Sequence, residues 1–95
     1  KPAIVFDIGG KFDKSFNEGV FEGAERFKKE TNIAAAEFEP SNETQFEQAL
    51  RRFAQRGQDP IVAVGFSQAV ALGKVAKEFP NIHFTIIDSV VDLPN

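Results

Sequence analysis

The sequence predicts an α/β domain: a three-layer sandwich around a parallel, flavodoxin-like sheet with strand order 2-1-3-4. Three observations predict it. Apolar runs alternate with amphipathic runs three times and end on a fourth apolar run, giving the order β-α-β-α-β-α-β. The apolar runs are nearly continuous, as in strands buried on both faces of a parallel sheet. The chain has 95 residues, 42% of them hydrophobic, which suffices for one core but bounds the molecule to a single small domain or part of one. Each crossover is long enough to carry a helix, and right-handed crossovers then lead to the 2-1-3-4 order.

The first strand is Ala3-Ile4-Val5-Phe6-Asp7-Ile8, closed by Gly9-Gly10. Ser15-Phe16-Asn17-Glu18 has the Ser-x-x-Glu form of a capping box and opens the first helix. Phe16, Val20, Ala24 and Phe27 recur at helical spacing and mark its apolar stripe. Lys28 and Lys29 suit the carboxyl end of the helix dipole, and Asn32 suits a left-handed cap. The second strand runs from Ile33 to Phe38, although its Ala34-Ala35-Ala36 centre has low strand propensity. Phe46, Ala49, Leu50, Phe53 and Ala54 form the face of the second helix, which Gly57 closes before Asp59-Pro60 turns the chain. Ile61-Val62-Ala63-Val64 is the third strand, ending at Gly65-Phe66. Ser67 is placed to cap the third helix, whose stripe is Leu72, Val75, Ala76 and Phe79 and whose stop is Pro80-Asn81. The fourth strand spans Ile82 to Ile87, so the single histidine, His83, falls inside a strand. The tail Ser89–Asn95 follows Asp88.

The fourth strand leaves an apolar edge, and an open edge invites pairing with another chain. The Ile82–Ile87 edge is therefore expected to meet a second copy, as a homodimer, or further chain.

Composition removes several function classes. Eleven basic residues stand against 14 acidic ones, a net charge of −3, which does not suit a protein that neutralises nucleic-acid phosphates. Cysteine is absent, which excludes disulfides, thiolate metal sites and cysteine catalysis. No apolar run approaches the roughly 18 residues of a membrane span. Residues 1–8 are too short for a secretory signal, so any export signal lies outside these residues. A Ser-His pair at one rim, the spacing of His and Cys in zinc sites, a phosphate-cradling G-x-x-x-x-G-K-[ST] and a G-x-G-x-x-G are all missing. A phosphoacceptor receiver domain shares the element order but wants an Asp after the third strand, where Gly65-Phe66 stands. No cofactor is implied, and an enzyme is the least supported class.

Ligands of open parallel sheets bind beyond the carboxyl ends of the strands, where strand order reverses. Here that point lies between strands one and three. The rim collects Asp7, Asp13, Phe16, Asn17, Gly65, Phe66 and Asp88 as candidate ligand-binding residues. Several have a plainer role: Asp7 can cap its loop, Phe16 can pack in the core, Asn17 can be a solvated first-turn residue, Phe66 can plug the top of the sheet, and Asp88 can serve solubility. The carboxylates oppose a phosphate and favour a neutral or cationic solute rich in hydroxyl and amino groups. The phenyl rings favour a flat aromatic face. A nucleoside-like solute combines both features.

The run Ala3–Gly10 followed by Asp13-Lys14-Ser15-Phe16-Asn17-Glu18-Gly19 resembles the opening of the basic-membrane-protein family of solute-binding proteins, which includes bacterial purine nucleoside receptors of ABC importers. Val64-Gly65-Phe66 and Ile86–Asn95 agree with it. The resemblance implies a two-lobed, type I periplasmic-binding-protein fold that closes on its ligand like a clamp. Residues 1–95 would be a single partial domain, the N-terminal portion of lobe one. It implies Phe16 as the base-stacking ring with Asn17 beside it, Asp7 as the acid after strand one, Phe66 as the ring after strand three, and Asp88 as an acid of the rim. It implies no enzymatic activity, a nucleoside or related small solute, an ABC permease as partner, and a periplasmic or lipid-anchored location on the outer face of the membrane. With the opposite lobe missing, these residues alone should bind nucleosides weakly or not at all. The alternatives are a structural half-lobe that folds by dimerising and a flavodoxin-like signalling domain.

Overall fold

The computed structural model describes all 95 residues, Lys1–Asn95. Four strands, β1 (Ala3–Val5), β2 (Ala36–Phe38), β3 (Ile61–Val64) and β4 (Phe84–Ile87), form one parallel sheet in the order β2-β1-β3-β4. Helix α1 (Phe16–Thr31) covers one face, and α2 (Gln45–Gln55) and α3 (Ala69–Glu78) cover the other. This is the predicted three-layer sandwich.

The two faces are unequal. On the α2–α3 side, Ala3, Val5, Ile61 and Ala63 of the sheet join Phe46, Leu50, Phe53, Leu72 and Val75 in a cluster of 11 buried residues. On the α1 side the only apolar residues buried to that degree are Ile4, Phe6 and Val64. Every apolar position expected on α2 is buried, whereas the α1 stripe is corrected: Val20 and Ala24 are half-buried, and Phe16 and Phe27 are exposed. The physical reason is that α1 lies alone on its face, without a neighbouring helix to close over its flanks. A groove of about 660 Å³ runs there along Pro2, Ile4, Val20, Phe27, Ile33 and Val62. Across the other layer, Arg51 joins α2 to α3 through a two-pronged pair with Glu78 (2.6 and 2.8 Å) and also meets Glu47.

The strands are shorter than their apolar runs. Phe6–Ile8 leave β1, Ile33–Ala35 precede β2, and Ile82 and His83 precede β4. His83 therefore lies outside the strand, exposed, with Nδ1 3.2 Å from Asp59 Oδ1. The Ile82–Ile87 edge is partly closed by the chain itself. The Phe84 N–H donates to the Asn95 carbonyl at 2.7 Å, and Asn95 Nδ2 donates to the carbonyls of Ala76, Phe79 and Ile82. Val91 and Leu93 line a small cavity with Phe84 and Ile86.

The asymmetry of the core has a measurable consequence. Phe46→Ala, at a ring only 1% exposed, is expected to cost about 3–5 kcal/mol in chemical denaturation. Phe27→Ala, at a ring 41% exposed, is expected to cost under about 1 kcal/mol. Equal losses would mean that α1 is packed as firmly as α2.

Candidate functional site

The carboxyl ends of β1 and β3 lie side by side, and the loops that leave them build the site. Asp7 follows β1, and Gly65 and Phe66 follow β3. A 3₁₀ turn (Phe66–Gln68) then leads into α3. The Asp7 carboxylate lies over Gly65. A Cβ built at residue 65 would overlap Asp7 Oδ2 and stand 2.7 Å from its Cγ. Gly65 also has φ +101°, a conformation that side chains disfavour. Asp7 Oδ1 accepts from the Ile8 N–H at 2.8 Å and from Ser67 Oγ at 3.0 Å. Asp7 Oδ2 takes no hydrogen bond from the protein and keeps contact with solvent. It is an open acceptor at the rim. Ser67, expected as a helix cap, instead sits inside the 3₁₀ turn and holds Asp7.

The loop from β1 to α1 is tied down on several sides. Asn17, expected on the lip, is fully buried. Its Oδ1 accepts from the Asp7 N–H at 2.9 Å, and its Nδ2 donates to the carbonyls of Asp7 (2.9 Å) and Gly10 (3.0 Å). It shapes the loop and offers no surface to a solute. The capping box is also rearranged. Asp13 Oδ1 accepts from the Ser15 N–H (2.8 Å) and the Glu18 N–H (3.0 Å), and Glu18 Oε1 accepts from the Lys14 N–H. Ser15 makes no side-chain cap bond. The left-handed Lys14, φ 57°, folds Asp13 over the helix start and displaces Ser15 from that role. Asp13 is thus a helix cap rather than an open rim acid. Partial desolvation raises its pKa, but the N–H groups of Glu18, Ser15 and Asn17 together outweigh that and hold it below the ordinary carboxylate value.

Two further contacts anchor the loop to β2. The Lys11 N–H donates to Glu39 Oε2 at 3.0 Å, and Lys11 Nζ lies 2.8 Å from Glu37 Oε1. The bond to Glu37 keeps the Lys11 ammonium above its usual pKa. The same Nζ stands 4.7 Å from the centre of the Phe21 ring, against which Phe12 packs edge-on at 5.3 Å.

Besides Phe12, which is equally exposed but packs edge-on against Phe21, two rings stand exposed at this rim. Phe16, at the first position of α1, is 55% exposed, and Phe66 is 68% exposed. The core role for Phe16 is therefore excluded by its exposure. Asp88 is exposed at the end of β4 with φ 70°. Two strand spacings, about 10 Å, separate its strand from that of Asp7.

Residues 1–94 match the family model Bmp, described as ABC transporter substrate-binding protein PnrA-like. The chain belongs to the Bmp family. It is 39% identical over 90 residues to an uncharacterized lipoprotein of Pyrococcus abyssi, covering 94% of this chain and 22% of that protein. It is 32% identical over 95 residues to the ABC transporter nucleoside-binding protein BmpA of Lactococcus lactis, covering 96% of this chain and 27% of the relative. Among solved structures, an ABC transporter solute-binding protein of Aeropyrum pernix superposes with a TM-score of 0.88 at 31% identity, over 97% of this chain and 25% of that one. The chain thus spans about a quarter of the length of these relatives. The Bmp family is one of substrate-binding proteins and not of enzymes.

One residue of this Bmp-family rim escaped the sequence reading. Gln68 is fully buried, and its Nε2 donates to the carbonyls of Val5 (2.8 Å) and Val64 (3.0 Å), the last residues of β1 and β3. An uncharged amide two residues after Phe66 looks like any helix-start residue in the sequence. Only its burial marks it.

Two outcomes follow for this Bmp-family chain. Gly65→Ala should lower stability, and the loss should be smaller in an Asp7→Ala background. The coupling expected from a double-mutant cycle is about 0.5–3 kcal/mol, and strict additivity would show that the carboxylate does not rest on residue 65. Asp13 supplies the pH dependence. Its carboxyl is depressed in the folded state, so its contribution is complete above the ordinary carboxylate range and disappears as pH falls through the folded value. The melting-temperature gap between the wild type and Asp13→Asn should therefore be full near neutrality and close in acid. A gap that widens in acid would reverse the assignment.

Proposed function

We propose that this chain forms one wall of a cleft that binds a nucleoside-like solute, within the solute-binding component of an ABC importer. The observation that carries the reading is the rim itself: the solvent-open Asp7 Oδ2 shares one sheet edge with the exposed rings of Phe16 and Phe66. A carboxylate acceptor suits the hydroxyl or amino donors of a sugar or base, and the phenyl faces suit a planar ring. Asp88 extends the acidic side of the rim. The nucleoside-binding name of the Lactococcus lactis relative supports the same substrate class. The whole protein would deliver solute to a membrane permease. It would lie outside the cytoplasm on a lipid anchor, a location supported by the lipoprotein names of the archaeal relatives. No helix of this chain is long and apolar enough to cross a membrane.

The wall is one-sided. Small-ligand pockets bury about 70–90% of their occupant, and this rim leaves one face of a base uncovered. Relatives about four times as long supply the room for an opposite wall.

Calorimetry with adenosine and guanosine on the whole protein tests the reading. Phe16→Ala and Phe66→Ala should each weaken binding by about 1–3 kcal/mol, the worth of a base–ring stack. Their effect on the melting of the 95-residue chain should stay within about 1 kcal/mol, because both rings are exposed. Unchanged affinity in both variants, or no binding by the wild type, would remove the nucleoside reading.

A further inference from the structure

The hydrogen bonds where β1 and β3 end contain an exchange of partners. The Ala3 N–H donates to the Pro60 carbonyl at 3.0 Å, and the register pairs Ala3 with Ile61, Ile4 with Val62 and Val5 with Ala63. Continued in steps of two residues, this ladder joins the Asp7 N–H to the Val64 carbonyl. That bond is not made. The Asp7 N–H goes to Asn17 Oδ1 (2.9 Å), and the Val64 carbonyl accepts from Gln68 Nε2 (3.0 Å). Each half of the missing rung is met by a fully buried side-chain amide, one from the first turn of α1 and one from the turn before α3.

We propose that Asn17 and Gln68 act as a pair of positioning residues, parting β1 from β3 one rung early so that the Asp7 carboxylate is delivered to the rim. The proposal rests on the reading of Asp7 as a solute-binding group given under Proposed function.

Side-chain alternation supplies the reason. Ala3 and Val5 point into the α2–α3 layer, and Ile4 and Phe6 face α1. A seventh residue still in register would aim its carboxylate beside Val5, into the larger core, where an unpaired charge is costly. Asn17 prevents this by pairing with both the N–H and the carbonyl of Asp7, as a neighbouring strand would. Gln68 satisfies the Val64 carbonyl that the parting strands leave open, and adds a second bond to the Val5 carbonyl at the last rung. Gly65, with its N–H turned to the Ile87 carbonyl, then leaves the space that the carboxylate fills.

Nuclear magnetic resonance of the isotopically labelled 95-residue chain tests this without any ligand. Couplings across hydrogen bonds should connect the Asp7 nitrogen to the Asn17 side-chain carbonyl carbon. A coupling from Asp7 to the Val64 backbone carbonyl would overturn the proposal, and this wild-type measurement decides the rung even if variants fail to fold. In Gln68→Leu that retains the Val5–Phe46 core contacts, the cross-relaxation between Asp7 Hβ and Gly65 Hα should be lost. An unchanged signal in that folded variant would show that Gln68 only fills space. In the whole protein, Gln68→Leu should weaken adenosine binding about tenfold in the presence of Asp7 and have little effect in Asp7→Ala. Equal effects in both backgrounds would overturn the positioning role. If the wild type binds no adenosine, the solute reading fails alone, and the resonance measurements still decide the split rung.

Discussion

The peptide group of Asp7 is where this molecule stops being a sheet and becomes a rim. Its N–H and carbonyl are both held by one buried side chain, Asn17. A backbone peptide withdrawn from a ladder must find other partners, because a buried donor left unmet costs about 1–3 kcal/mol. Asn17 meets that demand, and with its remaining proton it also fixes Gly10. The start of α1, the course of the loop and the direction of the Asp7 carboxylate all depend on this one amide.

The support beneath the rim is uneven. The α2–α3 layer is closely packed and ties β3 and β1 to a continuous apolar core. The α1 layer is thin, and the amino end of α1 and the loop before it are held more by polar contacts than by burial: Asn17 to Asp7, Asp13 to the first-turn amides, and Glu39 and Glu37 to Lys11 of the loop. Hydrogen bonds are directional where apolar contacts are not. A loop fixed this way can hold a carboxylate in one place while leaving Phe16 and Phe66 uncovered. Exposed phenyl rings beside an open acceptor have no evident use to folding, since burial of either ring would have been more favourable.

Strand order, helix faces and the position of the rim were readable because they follow from spacing. The i, i+3, i+4 pattern of Phe46, Ala49, Leu50, Phe53 and Ala54 leaves α2 little choice, and Ile61–Val64 is apolar, β-branched at all but Ala63, and bounded by Pro60 and Gly65. The same logic misplaced strand ends, because an apolar run continues past the last paired residue wherever tertiary packing still buries it, as at Phe6, which lies beyond β1 although its N–H still reaches the Phe38 carbonyl. It credited Ser15 with a cap that belongs to Asp13, because the left-handed turn at Lys14 carries no mark in the sequence. It placed Asn17 on the lip for a similar reason: an asparagine in a first turn is polar in sequence, and only its partners decide whether it faces solvent.

The sequence by itself determined the alternation of elements, the 2-1-3-4 order, the family and the set of residue types that reach one edge of the sheet. These are one-dimensional properties, fixed by periodicity, crossover length and motif. Tertiary structure alone decided which of those residues are open and which are spent on the scaffold: Asp7, Phe16 and Phe66 at the surface, Asn17, Asp13 and Gln68 engaged within. That division depends on hydrogen-bond partners up to 63 residues apart in the chain, and such pairings exist only once the strands have come together.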